Sequence, residues 1–265
     1  MAFGDNGVAI AGADKGFIYR STDGISWSGQ QVGNNSVNGI AYAGNGVFLA
    51  VESGGHIFRS TNYGLTWAEQ LNSGQLWTAH DLTGVAFGYS STLGAVFVIV
   101  ATGGQTLYST DYGVTWDFVD LIQYFPCEVS PYDTPQCTVG PLGPAVNPQG
   151  VTFGHDEFVA VADTGAVFVS KDGGQSWAWT FVGPAAAAVP LQGVAYGSGS
   201  NEEYFVAVGK NGVTLIGPVD PLTGAISWYS TSFPTTYLRG VTFGENKFAA
   251  VGYGASIVQS KPLPW

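Results

Sequence analysis

Three histidines, three arginines and two cysteines are the side chains of this 265-residue chain best suited to bond-making chemistry, and their spacing assembles no familiar catalytic set. His56, His80 and His155 are far apart, and none belongs to a His-Glu-x-x-His pair. A Gly-x-Ser-x-Gly nucleophile elbow and a phosphate-cradling glycine loop are also missing. Cys127 and Cys137 share one Pro-rich stretch, CEVSPYDTPQC, with no histidine nearby, so their spacing speaks against a zinc site. A disulfide between them is the expectation; it would staple a loop with little other source of order and point to an oxidising environment. No catalytic residue, metal or cofactor is expected. What remains is recognition chemistry. Trp77, Trp179, Tyr229 and Tyr237, taken with Glu52, His56, His80 and Asp81, form an aromatic and polar set of the kind that stacks on a sugar or anchors a protein interface.

A repeat must position these residues. The phrase at 1–4 (MAFG) returns at 39–43 (GIAYA), 84–88 (GVAFG), 150–154 (GVTFG), 193–197 (GVAYG) and 240–244 (GVTFG). Its aromatic residue falls at Phe3, Tyr42, Phe87, Phe153, Tyr196 and Phe243, a period near that of stacked supersecondary units. Each phrase leads into an apolar, β-branched stretch such as Phe158 to Val161, then a third strand, then a hairpin ending in tryptophan. Those hairpins read STDGISW (21–27), STNYGLTW (60–67), STDYGVTW (109–116) and SKDGGQSW (170–177). No amphipathic helix is evident. Four strands in each of six units predict an all-β, six-bladed β-propeller. The blades fall at about 1–36, 37–81, 82–147, 148–190, 191–237 and 238–265, with a Pro-rich insertion at 117–148. The fifth hairpin is swollen and the sixth keeps only Ser260 and Trp265, so the last blade is expected to lack most of its fourth strand. A bare edge there would invite pairing with another chain.

The four hairpins resemble the Asp-box, or BNR, repeat of sialidases, sortilin-type receptors and photosystem assembly factors. The likeness covers nearly the whole chain, and the run of Gly-Val-Ala-Phe-Gly, Phe-Val-Ala-Val and Ser-Thr-Asp-Gly looks most like the assembly-factor branch. The box needs no ligand to explain it: Asp23, Asn62, Asp111 and Asp172 can accept backbone N–H groups inside the turn, while Trp27, Trp67, Trp116 and Trp177 are expected to pack against the hairpin. In sialidases the resemblance would imply three arginines on the substrate carboxylate, a Tyr–Glu nucleophile pair and an Asp acid/base. Here Arg20 and Arg59 occupy the same repeat position, matched by Tyr108, Val169 and Gln259 elsewhere, which speaks against a channel triad.

Composition narrows the partners. The formal net charge is -11 with only eight Lys and Arg, so nucleic acid and anionic membrane surfaces are disfavoured. No apolar run is long enough to span a bilayer, and Met1 already lies in the first repeat, so no signal peptide is expected in this chain. Propeller geometry places the insertion on the face opposite the Asp boxes, with Trp77, His80, Asp81, Trp179, Tyr229 and Tyr237, while Glu52 and His56 ring the channel mouth. The expectation is a non-catalytic binding or structural propeller, a virion or surface-assembly component contacting proteins or glycans and able to form a homo-oligomer or larger particle. A lectin-like module and an assembly factor are the alternatives, and an extracellular or virion setting is expected.

Overall fold

The computed structural model describes residues 1–71, 80–121, 146–181, 189–200, 202–232 and 237–262. Blade 1 comprises β1 (Ala2–Phe3), β2 (Ala9–Gly12), β3 (Phe17–Ser21) and β4 (Ser28–Gln31); blade 2 comprises β5 (Val37–Tyr42), β6 (Phe48–Glu52), β7 (His56–Ser60) and β8 (Ala68–Leu71). Blade 3 follows as β9 (Leu82–Ser90), β10 (Gly94–Ala101), β11 (Gln105–Ser109) and β12 (Asp117–Asp120), and blade 4 as β13 (Pro148–Gly154), β14 (Glu157–Ala162), β15 (Ala166–Ser170) and β16 (Ala178–Phe181). Blade 5 is built from β17 (Leu191–Ser198), β18 (Glu203–Gly209), β19 (Val213–Pro218) and β20 (Tyr229–Ser232); blade 6 has β21 (Leu238–Gly244), β22 (Lys247–Gly252) and β23 (Ile257–Gln259). Every sheet is an antiparallel meander in chain order, and among the described residues the sixth has three strands where the others have four. The fold is a six-bladed β-propeller, as the repeats predict. Cys127, Cys137, Trp77 and most of the 117–148 insertion lie outside the described residues.

The period-2 alternation of each second strand sends its two sets of side chains to two different neighbours. In β14, Phe158 and Ala160 pack toward blade 3 with Val98 and Val100, whereas Val159 and Val161 pack toward blade 5 with Phe205 and Ala207. Similar layers join blades 1 and 2 through Ile10 and Phe48, blades 2 and 3 through Val51 and Phe97, and blades 5 and 6 through Val208 and Phe248. Such strands read as continuous apolar runs because both faces are covered. Burying each phenylalanine contributes about 1.5–3 kcal/mol by area.

Nearer the axis, the repeated glycines permit close approach. A Cβ on Gly84, Gly150 or Gly193 would meet the Cα of the next blade's glycine at 3.4, 3.4 and 3.2 Å. The closing glycine of each phrase receives the next blade's aromatic: Phe153 covers Gly88, Tyr196 covers Gly154 and Phe243 covers Gly197. Gly154→Ala should therefore lower stability by roughly 1–3 kcal/mol through overpacking against Tyr196. Gly244→Ala, with nothing within 4 Å of its added Cβ, should stay within about 0.5 kcal/mol of the parent. Urea denaturation of the two variants provides the comparison.

Candidate functional site

The four Ser-x-Asp/Asn hairpins are self-contained hydrogen-bonded turns. The Asp111 carboxylate accepts the Val114 N–H at 3.0 Å and the Thr115 N–H at 2.9 Å, and also the hydroxyls of Ser109 (2.8 Å) and Thr115 (2.6 Å). Asp23 accepts from the backbone of Ile25 and Ser26, Asp172 from Ser176, and Asn62 from Thr66. The serine completes the turn: Ser109 Oγ accepts the Gly113 N–H at 2.9 Å, as Ser60 does for Gly64 and Ser170 for Gly174. Partial burial pushes the Asp111 pKa up, but these bonds to its charged form outweigh it and hold the pKa at about 2. For Asp23 the backbone bonds from Ser26 and Ile25 dominate, again giving about 2.

The box tryptophans have a second task. Trp67, Trp116 and Trp177 pack into the apolar layers shared with the preceding blade, and Trp228 does so from the swollen fifth hairpin. Trp27 departs from the expectation: it is among the exposed large side chains, because no blade precedes blade 1 in the chain. Two arginines reinforce the same junctions. Arg20 Nε donates to the Tyr63 carbonyl at 2.8 Å, and Arg59 Nε donates to the Tyr112 carbonyl at 2.7 Å, each reaching from a third strand to the next blade's hairpin. Their location on the third strand follows the sequence reading, but the reach between blades was not legible there.

The candidate binding residues are dispersed. Glu52 is fully buried, so the expected channel-mouth position is corrected: its Oε2 accepts the Asn35 N–H at 3.3 Å, and burial pushes its pKa up. His56 Nδ1 is 2.7 Å from Glu69 Oε1 on the outer strand. Asp81 ties two blades together by accepting the Gly54 N–H at 2.9 Å, and the His80 ring lies over Gly103. Trp179 and Tyr229 are strand residues rather than members of the expected loop cluster. Trp179 packs on the blade 3–4 layer, and Tyr229 sits where β20 leaves its hairpin. Tyr237 remains on the expected face, edge-on to Tyr253 at 5.2 Å, whose ring also carries the Arg239 guanidinium at 5.1 Å.

Two sites escaped the sequence reading. A groove of about 500 Å³ runs between blades 5 and 6. Its floor is Val206, Val208, Ile216, Val241, Phe248 and Val258, and its rim carries Tyr204, Tyr229, Glu202 and Lys261. The Tyr204 hydroxyl donates to Glu202 at 3.0 Å. Near the hairpin face, His155 Nδ1 contacts Glu203 at 2.5 Å between two polar hollows of about 290 and 320 Å³. Burial, and then the bond to Glu203, raise the pKa of the neighbouring Tyr196 hydroxyl well above its ordinary range. These partners are nearly fifty residues apart, so no local motif announces them. Among the described residues, no group of three or more His, Cys, Asp or Glu side chains could hold a metal ion.

The arrangement defines a β-propeller scaffold, and comparison with known proteins supports the fold. No family model and no curated protein matches the sequence. Solved structures do. A YCF48 bound to a D1 peptide is 15% identical with a TM-score of 0.57, the match covering 98% of this chain and 71% of that one. YCF48 from Cyanidioschyzon merolae is 13% identical with a TM-score of 0.58, covering 97% and 80%. The WD40 repeats of RRP9 reach a TM-score of 0.68 at 10% identity, covering 95% and 72%.

Two outcomes follow from the hairpins and their ties. Asp111 has a depressed folded-state pKa, so the stability it contributes is present above the model value of 3.8 and is lost as pH falls through about 2. Discounted for solvent screening, it is worth roughly 1 kcal/mol. Asp111→Asn, which mimics the natural Asn62, should flatten the acid limb of a plot of urea midpoint against pH while changing the neutral-pH midpoint little. Arg59→Ala should cost about 1.5–3 kcal/mol at pH 7 through loss of a charge-assisted bond, read by the same denaturation.

Proposed function

We propose that this chain is a non-catalytic interaction propeller that takes an extended segment of a partner protein into the groove between blades 5 and 6. The observation that carries this reading is an apolar floor beside an unpaired strand. In blades 2 to 5 the third strand is paired by a fourth, whereas among the described residues β23 has β22 on one side only. Gln259, Ser260 and Lys261, at and just beyond the end of β23, line the groove. A partner strand added to β23 would place a side chain over Val206 and Phe248, in the place where Trp67, Trp116, Trp177 and Trp228 sit at the preceding junctions. Main-chain bonds would supply affinity and the groove would select an aromatic residue, which is the logic of recognition by β-addition. Tyr204 and Tyr229 on the rim are residue types that anchor protein interfaces. The YCF48 structure with its bound D1 peptide is a case of a similar fold holding a peptide.

In this reading the chain serves as an assembly component, with the virion or extracellular setting expected from composition, and the Asp-box identity of its hairpins accounts for their regularity. The test is peptide display panned against the purified protein. Selected peptides should be rich in Trp, Phe or Tyr and should lose at least about tenfold in affinity on a Val206→Asp, Tyr229→Ala variant whose melting is unchanged. Peptides that bind the variant equally well would refute the groove. Binding on a glycan array with the same residue dependence would replace the protein partner with a carbohydrate.

A further inference from the structure

The face of blade 6 turned away from blade 5 carries the residues of an internal junction, but nothing covers it. Val251 is 50% exposed, whereas its repeat equivalents Val51, Val100 and Val161 are 0% exposed and Val208 is 1%. Ile257 is 71% exposed; Ile57 and Val167, at the same position, are 0%. Near the axis, a Cβ on Gly240 would meet only its own blade's Val251, where the earlier glycines touch the next blade. Gly244 has no aromatic over it, although Gly88, Gly154 and Gly197 each do.

The other side of the gap shows the matching deficit. Phe3 is the blade 1 counterpart of Phe153, Tyr196 and Phe243, and it is 68% exposed. Trp27, the one box tryptophan with no preceding blade, is exposed as well. Apolar layers join blades 1–2, 2–3, 3–4, 4–5 and 5–6, and among the described residues none joins blade 6 to blade 1. The first strands pack β1 on β5, β5 on β9, β9 on β13, β13 on β17 and β17 on β21, but β21 makes no comparable contact with β1.

We infer that the seam between blades 6 and 1 is a socket for one further blade of this same repeat, contributed by polypeptide outside residues 1–265. The repeat's own packing rules specify the occupant. Its first strand must carry a glycine against Gly240 and an aromatic onto Gly244. Its second strand must set a phenylalanine against Val251 and Ile257, as Phe97 packs with Val51 and Ile57. Its far face must offer a glycine to Phe3 and an apolar bed to Trp27. Both walls of the socket are uncharged at these positions, so the occupant is apolar on both faces. The similar solved propellers favour an added blade over direct closure, since nearly all of this chain, 98%, is matched within 71% of the YCF48 chain. The seam lies on the opposite side of blade 6 from the blade 5–6 groove, so the two proposals stand or fall separately.

The experiment supplies the blade. A copy of residues 147–190 is fused after Trp265 through a short flexible linker, and melting and native mass are measured for the fused and unfused chains. The fused chain should be monomeric and melt about 5 °C or more above the parent, with that gain abolished by Val251→Asp. In the unfused chain, Val251→Asp should shift melting by less than about 2 °C, while Val161→Asp, buried between blades, should lower it by more than about 10 °C. This second comparison holds whether or not the fusion folds. Equal damage from Val251→Asp and Val161→Asp would overturn the inference by showing that blade 6 closes directly on blade 1. An unfused dimer dissociated by Val251→Asp would overturn it in favour of a second copy, and a fused chain that folds without added stability would overturn it outright.

Discussion

A four-stranded antiparallel sheet with apolar residues on both faces cannot exist alone in water. Each blade here is stable only as a layer between two others, and that requirement determines what each repeat position contains. The second strands alternate a phenylalanine and an alanine toward one neighbour with β-branched residues toward the other, so a single strand such as Glu157–Ala162 contributes to two cores at once. Glycines near the axis let the blades approach where the wedge narrows, and the box tryptophans fill the junctions farther out. Polar ties come second: Arg20 and Arg59 cap carbonyls across junctions that apolar packing has already brought together.

Much of this was legible in sequence because the same packing demand recurs six times. A phrase such as Gly-Val-Thr-Phe-Gly identifies itself when its glycine must accept the next blade's aromatic, and the Ser-x-Asp hairpins announce a turn whose bonds are all local. Contacts between blades were less legible. Nothing near Glu52 indicates that its carboxylate is buried against Gly33 and the Asn35 N–H, or that Asp81 reaches back to Gly54. Trp179 and Tyr229 were read as loop residues because strand four begins immediately after the hairpin, at a boundary that a short alternating pattern does not resolve. Trp27 matched its repeat perfectly, yet its burial depends on a neighbour that the first blade does not have.

The groove between blades 5 and 6 was invisible for a related reason. It arises from what the sixth repeat lacks rather than from a residue it contains, so it becomes visible only against the filled junctions of its neighbours. The same comparison separates the scaffold from its functional candidates. Regular positions such as Asp111, Trp116 and Phe97 are committed to packing and turn closure, while the departures from regularity at Tyr204, Tyr229 and Lys261 border open space.

The two arginine ties also make the array mechanically uneven. They span only the first two junctions, and the equivalent third-strand positions farther along carry Tyr108 and Val169, which have no guanidinium to reach across. In a chain of nearest-neighbour layers, opening begins at the weakest junction and spreads from there. Blades 1 to 3 therefore behave as the anchored end of the molecule and blades 4 to 6 as the compliant end. A pull applied through the last blade would peel the sheets away in reverse chain order, so this propeller resists force more strongly from one end than from the other.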